Sequence, residues 1–131
     1  MADNRYETGM QVRRSVLGDS YVDRATANAT PLDSDFQRYI TEAAWGSVWA
    51  RDGLTRRERS LITIAMLACL CHEEELAMHL RAGRENTGTS LLDIKEVLLQ
   101  VGVYSGVPNA NTAFKIAKQV LGSELETALA E

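Results

Sequence analysis

The sequence predicts an all-α fold, and three observations support this prediction. Apolar residues recur at intervals of three and four along most of the chain, which is the period of an amphipathic helix. No segment alternates apolar and polar residues over the length of a strand. Glycine and proline fall between the periodic segments, where helices begin and end. We therefore expect a compact bundle of about six helices with a helical hairpin at its centre, formed as one domain over residues 1–131.

The first part of the chain contains two predicted helices and a connection. The first helix has apolar residues at helical spacing and ends at Gly18. Residues 22–29 are rich in alanine and threonine, and we expect them to form a short connecting segment. Thr30 and Pro31 suit the start of the second helix, as cap and first-turn proline. Its apolar spacing continues over residues 32–49.

The second part of the chain contains the segment that we expect to be most buried. Thr55, followed three residues later by Glu58, forms a capping-box pattern at the start of a helix. That helix is apolar on nearly all sides as far as Leu67, so we expect it to be the central buried helix. Thr89 or Ser90 is expected to cap a later helix. The remaining helices are predicted at 73–84, 91–103, 109–121 and 123–130.

The composition excludes several classes of protein. The net charge of −4 and the lack of a basic stripe make nucleic acid an unsuitable partner. The longest apolar run, residues 61–71, is far shorter than the ~20 residues that span a membrane. Residues 1–11 are polar and do not resemble a signal peptide, and two cysteines two positions apart do not support a disulfide framework. These observations indicate a cytoplasmic protein.

The apolar content also bears on assembly. A chain of 131 residues exposes a large share of its surface when it folds alone. Its apolar fraction is nevertheless 45%, which is near the normal value for a globular protein. We therefore expect part of the apolar surface to face another subunit, so that oligomerisation completes the bundle.

One stretch holds the densest group of reactive side chains. If it is a continuous helix, His72, Glu75 and His79 lie on one face. A metal site is one interpretation, but the HExxH spacing is absent and three ligands over two turns rarely converge. A thiol redox site is another, but Cys69 and Cys71 form CxC and not CxxC. The third is general acid–base chemistry by Glu75 and His79. From spacing alone, a surface pair with no catalytic role is as good an explanation.

Other polar and aromatic residues have two possible roles. Tyr104 and Asn111 flank a loop that contains glycine and proline, and they could direct polar groups into a cavity. Alternatively, this loop is a corner between helices. Trp45 and Trp49 lie one helical turn apart, a spacing more typical of a core or an interface.

The arginines are clustered, at 13–14, 56–59 and 81–84. Guanidinium groups bind carboxylates through paired hydrogen bonds, so such clusters suit the recognition of small carboxylates. For any single arginine, a solvated helix face or an ion pair between subunits is the more common role.

Four segments, taken together, resemble the 4-carboxymuconolactone decarboxylase family. The resemblance extends from about residue 6 to residue 120, and it rests on the order and spacing of the segments. The segments are GMQVRR (9–14) with VLGD (16–19) and VDRA (22–25); AWG (44–46) with Trp49; Arg57, RSL (59–61), AML (65–67) and EE (74–75) with His79; and IKEVLLQ (94–100) and GVP (106–108) with Asn111 and Phe114.

The resemblance implies an activity and an assembly. The family substrate is a butenolide lactone with two carboxylates, and it loses CO₂ to give β-ketoadipate enol-lactone. The lactone acts as its own electron sink, so no cofactor and no metal is implied. The family forms homo-oligomers, commonly hexamers built as trimers of dimers. The wider superfamily includes alkylhydroperoxidase-D-like proteins with a CxxC…H motif, whose two cysteine positions are His72 and Glu75 here. Two alternatives are a peroxide- or thiol-related enzyme of that superfamily and a non-catalytic helical oligomer.

The substrate also implies roles for the candidate site residues. His79 is the leading proton donor, since an unperturbed imidazole titrates near neutral pH. Glu75 either orients His79 or is itself the acid. The expected substrate-binding residues are Arg14, Arg59 and Arg81 for the carboxylates, Tyr104 and Asn111 for the developing oxyanion, and Trp45 and Trp49 as an apolar wall.

Overall fold

The computed structural model describes residues 4–128, with side chains as far as residue 126. Over this range the chain is helical and contains no strand, so the all-α prediction is confirmed. The elements in chain order are α1 (Arg5–Leu17), α2 (Asp19–Asn28), α3 (Ser34–Ile40) continued by the π-helical segment π1 (Thr41–Trp49), α4 (Arg56–Leu70), α5 (Glu73–Ala82) continued by the π-helical segment π2 (Gly83–Thr87), α6 (Leu91–Tyr104) and α7 (Val107–Ala128).

The elements belong to two compact units, Met1–Arg56 and Arg57–Glu131. In the first unit, α1 packs mainly against π1, with α2 and α3 beside them. The backbones of α1 and π1 touch, because a Cβ atom on Gly9 would lie 2.1 Å from the carbonyl oxygen of Thr41. Gly46 makes the reciprocal approach, since its Cβ would lie 2.3 Å from the carbonyl oxygen of Arg5. Glycine at these two positions therefore sets the distance between the two elements.

The prediction of a connecting segment at residues 22–29 is wrong. Gly18 ends α1 at a φ of 90°, and α2 begins at the next residue. Alanine favours helix, and Val22 is completely buried, so packing holds this segment in helical form. The following helix begins later than expected, at Ser34. Before it, the carboxylate of Asp33 accepts hydrogen bonds from the backbone N–H and the hydroxyl of Thr30.

Replacing Gly9 by alanine should destabilise the protein by about 1–3 kcal/mol, because the added methyl group would overlap backbone atoms that cannot move independently. Urea unfolding at fixed protein concentration measures the change. Gly53→Ala is the matched control in the same unit, since a Cβ atom there meets no atom within 4 Å. A Gly9→Ala variant as stable as Gly53→Ala would contradict the close approach of α1 to π1.

In the second unit, helices α4 to α7 enclose one apolar core. The buried residues of this core are Ile64, Ala68, Leu76, Leu80, Ile94, Leu98, Val101, Ala110, Ala113, Ile116, Ala117 and Leu121. The cap predicted before α6 at Thr89 or Ser90 is confirmed at Ser90, whose hydroxyl accepts from the backbone N–H of Asp93 in a capping box. Arg57 Nε donates to the carboxylate of Asp93 at 2.9 Å, and this contact lowers the pKa of Asp93 to about 2. The start of α6 is therefore fixed to the start of α4.

The prediction that the helix after Thr55 is buried on all sides is wrong within a single chain. Only one stripe of α4 is buried, at Ser60, Ile64 and Ala68. On the other side, Met66 is 54% exposed and Leu70 is 63% exposed. The apolar residues that the sequence distributes around α4 thus leave an uncovered apolar face.

The end of the chain also differs from the prediction of two helices at 109–121 and 123–130. Helix α7 continues through Gly122 as far as Ala128, and residues 129–130 lie outside the described residues. Leu121 and Leu125 are one turn apart and both pack on the core, so one helical face extends across the glycine. No helix within residues 4–128 is both long and apolar enough to cross a membrane.

Candidate active site

The candidate site centres on α5, which begins at a sharp break in the helix. Cys71 has a φ of 58°, and His72 occupies the N-cap position of α5. The Cys71 thiol donates to Asn109 Oδ1 at 2.9 Å, and Asn109 Nδ2 donates to the carbonyl oxygen of Cys69 at 3.2 Å. Asn109 Nδ2 also donates to the Ser105 hydroxyl at 2.8 Å. These contacts fix the α4–α5 turn to the α6–α7 corner.

The break changes the geometry that a continuous helix would give. His72 precedes α5, so it does not share a helical face with Glu75 and His79, and that expectation is wrong. Within residues 4–128 no three His, Cys, Asp or Glu side chains are grouped so that they could hold a metal ion. Cys69 and Cys71 are both exposed and reduced.

Glu75 and His79 lie one turn apart on α5, in contrasting environments. His79 is buried, with 7% of its surface exposed, whereas Glu75 is exposed. Burial lowers the pKa of His79 to about 4, and the nearby Glu75 carboxylate opposes this effect only in part. The imidazole is therefore neutral at pH 7 in the free protein. A neutral imidazole can hold a hydrogen bond or accept a proton, and a nearby carboxylate can orient it.

Buried hydroxyl groups lie in the same unit as this pair. The hydroxyls of Ser60 and Thr87 are 2.6 Å apart and both side chains are buried. Thr89 Oγ1 is buried with no hydrogen-bond partner in the described part of the chain, and it lies against Gly83. No sequence pattern points to these residues, because isolated serine and threonine residues carry no distinctive spacing.

The three predicted carboxylate-binding arginines lie in different settings. Arg14 is in the first unit, where its guanidinium contacts Asp19 at 3.1 Å and Asp23 at 2.8 Å. Arg59 is half-buried in the first turns of α4. Arg81 is exposed in the last turn of α5, two residues after His79. Residues two positions apart on a helix do not face each other, so Arg81 points away from His79 within its own chain.

The other predicted site residues are also separated. Tyr104 is 84% exposed and lines an apolar cavity of about 360 Å³ between α4 and α6. Asn111 is exposed and lines a different cavity, of about 230 Å³, between α6 and α7. Trp45 and Trp49 are buried in π1 with ring centroids 5.0 Å apart, as expected for a packed pair. A single unit therefore brings together only part of the predicted site.

Arg13 is a buried polar residue that is not among the predicted site residues. Only 5% of its surface is exposed. Gly9, Val12, Arg13 and Val16 are the buried residues of α1, and they follow the three-and-four spacing of one helical face. That spacing was the available signal, since it places Arg13 inside and Arg14 at the edge.

The fold and the α5 pair define an all-α protein that carries a buried imidazole beside a carboxylate. Residues 34–119 match the model of the carboxymuconolactone decarboxylase family. The chain belongs to this family.

Two decarboxylases match the chain over most of its length, and a third matches a shorter part of it. The chain is 44% identical over 118 residues to a 4-carboxymuconolactone decarboxylase of Acinetobacter baylyi, covering 90% of this chain and 87% of the relative. It is 38% identical over 121 residues to a nitrosuccinic acid decarboxylase of Metarhizium robertsii, covering 92% of this chain and 84% of the relative. A 4-carboxymuconolactone decarboxylase of Pseudomonas putida is 50% identical over 42 residues, 32% of this chain and 88% of the relative.

Proposed function

We propose that the protein is a carboxy-lyase that converts 4-carboxymuconolactone to β-ketoadipate enol-lactone, in the β-ketoadipate pathway of protocatechuate breakdown. The observation that carries the proposal is the 44% identity with a 4-carboxymuconolactone decarboxylase over nine-tenths of the chain. The buried His79 beside Glu75 supports it, because the reaction requires a proton to be delivered to carbon in a site from which water is excluded. The proposal includes a cytoplasmic location.

The reaction follows from the chemistry of the substrate. The bond between the ring carbon and its carboxylate breaks, CO₂ leaves, and the bonding electron pair stays on the ring. This pair spreads through the ring C=C bond into the lactone carbonyl and forms a dienolate. A proton then adds to the remote ring carbon and gives the enol-lactone. The electron sink belongs to the substrate, so the protein has to bind two carboxylates, stabilise the dienolate and supply the proton.

His79 acquires the proton on substrate binding in this mechanism. In the free protein its pKa is about 4, and the neutral form has no acidic proton to deliver easily to carbon. A substrate with two carboxylates brings negative charge close to the imidazole, which raises the pKa of His79. Glu75 holds the charged imidazole in position, or acts as the acid in its place.

The remaining residues would complete the site by binding the substrate and by excluding water. Arg59 and Arg81 are the arginines proposed for the substrate carboxylates, because Arg14 already contacts Asp19 and Asp23. Because Arg81 points away from His79, we propose that it acts in the site of a neighbouring subunit. Tyr104 and Asn111 are proposed as hydrogen-bond donors to the developing oxyanion. Trp45 and Trp49 are proposed as the apolar wall of the site.

A second candidate substrate follows from the 38% identity with a nitrosuccinic acid decarboxylase. A nitro group beside the leaving carboxylate also accepts the electron pair, and a second carboxylate remains for an arginine. The two reactions thus require the same protein chemistry with different cavity shapes. Comparing kcat/KM for the two acids, with detection of CO₂ and of each product, separates them. We expect the lactone to be preferred, and turnover of neither acid would favour a non-catalytic helical oligomer.

Assembly into a homo-oligomer, with a hexamer built as a trimer of dimers, is the second prediction. The uncovered face of α4 supports it, since a monomer would leave Ile62, Met66 and Leu70 in water. Sedimentation at micromolar concentration should give a mass six times 14.5 kDa. Met66→Glu should lower that mass, whereas Lys95→Glu, at an exposed position of α6, should not. A wild-type protein that sediments as a monomer would contradict the proposed assembly.

Independence from cofactors and thiols is the third prediction. Activity on the lactone should survive a chelator, exhaustive dialysis and alkylation of Cys69 and Cys71, because the substrate holds its own electron sink. Turnover before and after each treatment is the measurement. The peroxide- or thiol-related alternative predicts instead that alkylation abolishes activity, since both thiols are exposed to the reagent.

A further inference from the structure

The first unit contains a polar cavity, and none of the residues of the proposed mechanism lines it. It has a volume of about 340 Å³ and is formed by α1, α2, α3 and the start of π1. Arg13, Arg38 and Asp35 are the charged residues that line it. The other lining residues are Tyr6, Met10, Thr26, Ala29, Ser34, Gln37 and Thr41.

The hydrogen bonds of the Arg13 guanidinium are formed with neutral groups. Its Nη1 donates to Thr41 Oγ1 at 3.3 Å, and its Nη2 donates to Gln37 Oε1 at 3.1 Å. Its Nε is buried and has no hydrogen-bond partner among the described residues. Arg13, of whose surface only 5% is exposed, thus keeps one buried donor unused while it lines a cavity.

The charge of Arg13 is also uncompensated in the described part of the chain. No carboxylate forms an ion pair with it there, although buried charges in proteins are normally paired. Arg38 is in a different position, because its Nε contacts Glu42 at 2.8 Å and its guanidinium lies over the Tyr6 ring. Asp35 is exposed to water and lies beyond ion-pairing distance of Arg13.

The electrostatic surroundings of Arg13 agree with this description. Burial lowers the pKa of Arg13, and the opposing influence comes from Tyr21 and Tyr6. These are phenol groups, which carry no charge near neutral pH. No carboxylate contributes to the shift.

We propose that this cavity binds a small carboxylate, which pairs with the buried guanidinium of Arg13. A carboxylate offers the planar pair of acceptors that a guanidinium matches, and its single charge equals the one charge left unpaired. The hydroxyls of Thr26 and Ser34 add donors at the rim. Phosphate fits less well, because its second charge would meet Asp35. The inference does not depend on the proposed decarboxylase activity.

The test uses the whole protein labelled with ¹³C at its methionine methyl groups, which remain visible in a large oligomer. Met10 lines the cavity, whereas Met66 lies on α4 and serves as an internal control. Titration with propionate, which carries one carboxylate, should shift the Met10 signal saturably, with a Kd on the order of 1 mM, and leave Met66 unchanged. Inorganic phosphate is the second arm, and it should cause a smaller shift at equal concentration.

Two variants identify the residue responsible. Arg13→Gln should weaken propionate binding at least about tenfold, because a charge-assisted contact is lost. Arg13→Lys keeps the charge without the planar fork and should give an intermediate loss. Arg24→Gln, at an exposed arginine of α2 that does not line the cavity, should bind as the wild type does. The Met10 signal without ligand reports whether each variant is folded.

Two results would overturn the inference. One is a wild-type Met10 signal that propionate does not shift, or that phosphate shifts more. The other is a folded Arg13→Gln variant with unchanged affinity. Since turnover is not measured, loss of the proposed decarboxylase function would leave this test intact.

Discussion

His79→Ala is expected to lower kcat for 4-carboxymuconolactone by about 100-fold or more, the usual effect of removing a positioned general acid. The imidazole is buried, so water cannot readily take its place. Glu75→Gln should be damaging but milder, because the imidazole remains and loses only the carboxylate beside it. If Glu75 is the acid, Glu75→Gln should lower kcat more than His79→Ala does. Steady-state kinetics of the purified variants is the measurement.

Two further variants make this test specific. The double variant of His79 and Glu75 should be only slightly worse than the more damaged single variant, since members of one catalytic unit are not additive. His72→Ala is the matched control, because His72 is exposed at the N-cap of the same helix. Near-normal turnover in both single variants would show that this face of α5 is structural and that the reaction occurs elsewhere.

The sequence predicted the helical elements well where periodicity and caps agreed. The stop at Gly18 and the cap at Ser90 are local features, and both are confirmed. Helix α2 was missed because its sequence is only moderately apolar and the burial of Val22 is a tertiary effect. The break at Cys71 was missed because a left-handed backbone is unusual for cysteine, and no glycine at this position indicates the end of a helix. A contact with Asn109, 38 residues away, accompanies that conformation.

The candidate site was less predictable for a similar reason. The spacing of Glu75 and His79 placed them one turn apart, but it did not indicate that one would be buried and the other exposed. The apolar spacing of α1 places Arg13 on its buried face, whereas the prediction named Arg14 at the edge of that face. The arginines and polar residues assigned to the substrate lie on different elements, and short-range spacing says nothing about their distances. Their roles stay predictions.

The stability of the protein should decrease steeply as the pH is lowered, because of His79. Its pKa is about 4 in the folded protein, against 6.5 for an unperturbed imidazole. Between these values the unfolded chain binds more protons than the folded chain, so the free energy of unfolding decreases as the pH falls from 6.5 towards 4. Above pH 7 both states are neutral at this position and the contribution is constant. The total loss is about 3 kcal/mol, of which about 2 kcal/mol should appear between pH 7 and pH 5.

Urea unfolding at pH 7, 6 and 5, with one fixed protein concentration, measures this loss. His79→Gln removes the titrating group at similar volume, so its stability should change about 2 kcal/mol less than that of the wild type over the same range. Asp93 does not interfere, because its pKa of about 2 places its titration below this window. Equal slopes for the wild type and His79→Gln would mean that the imidazole is hydrated in solution, and the neutral resting state assigned to it in the mechanism would then be wrong.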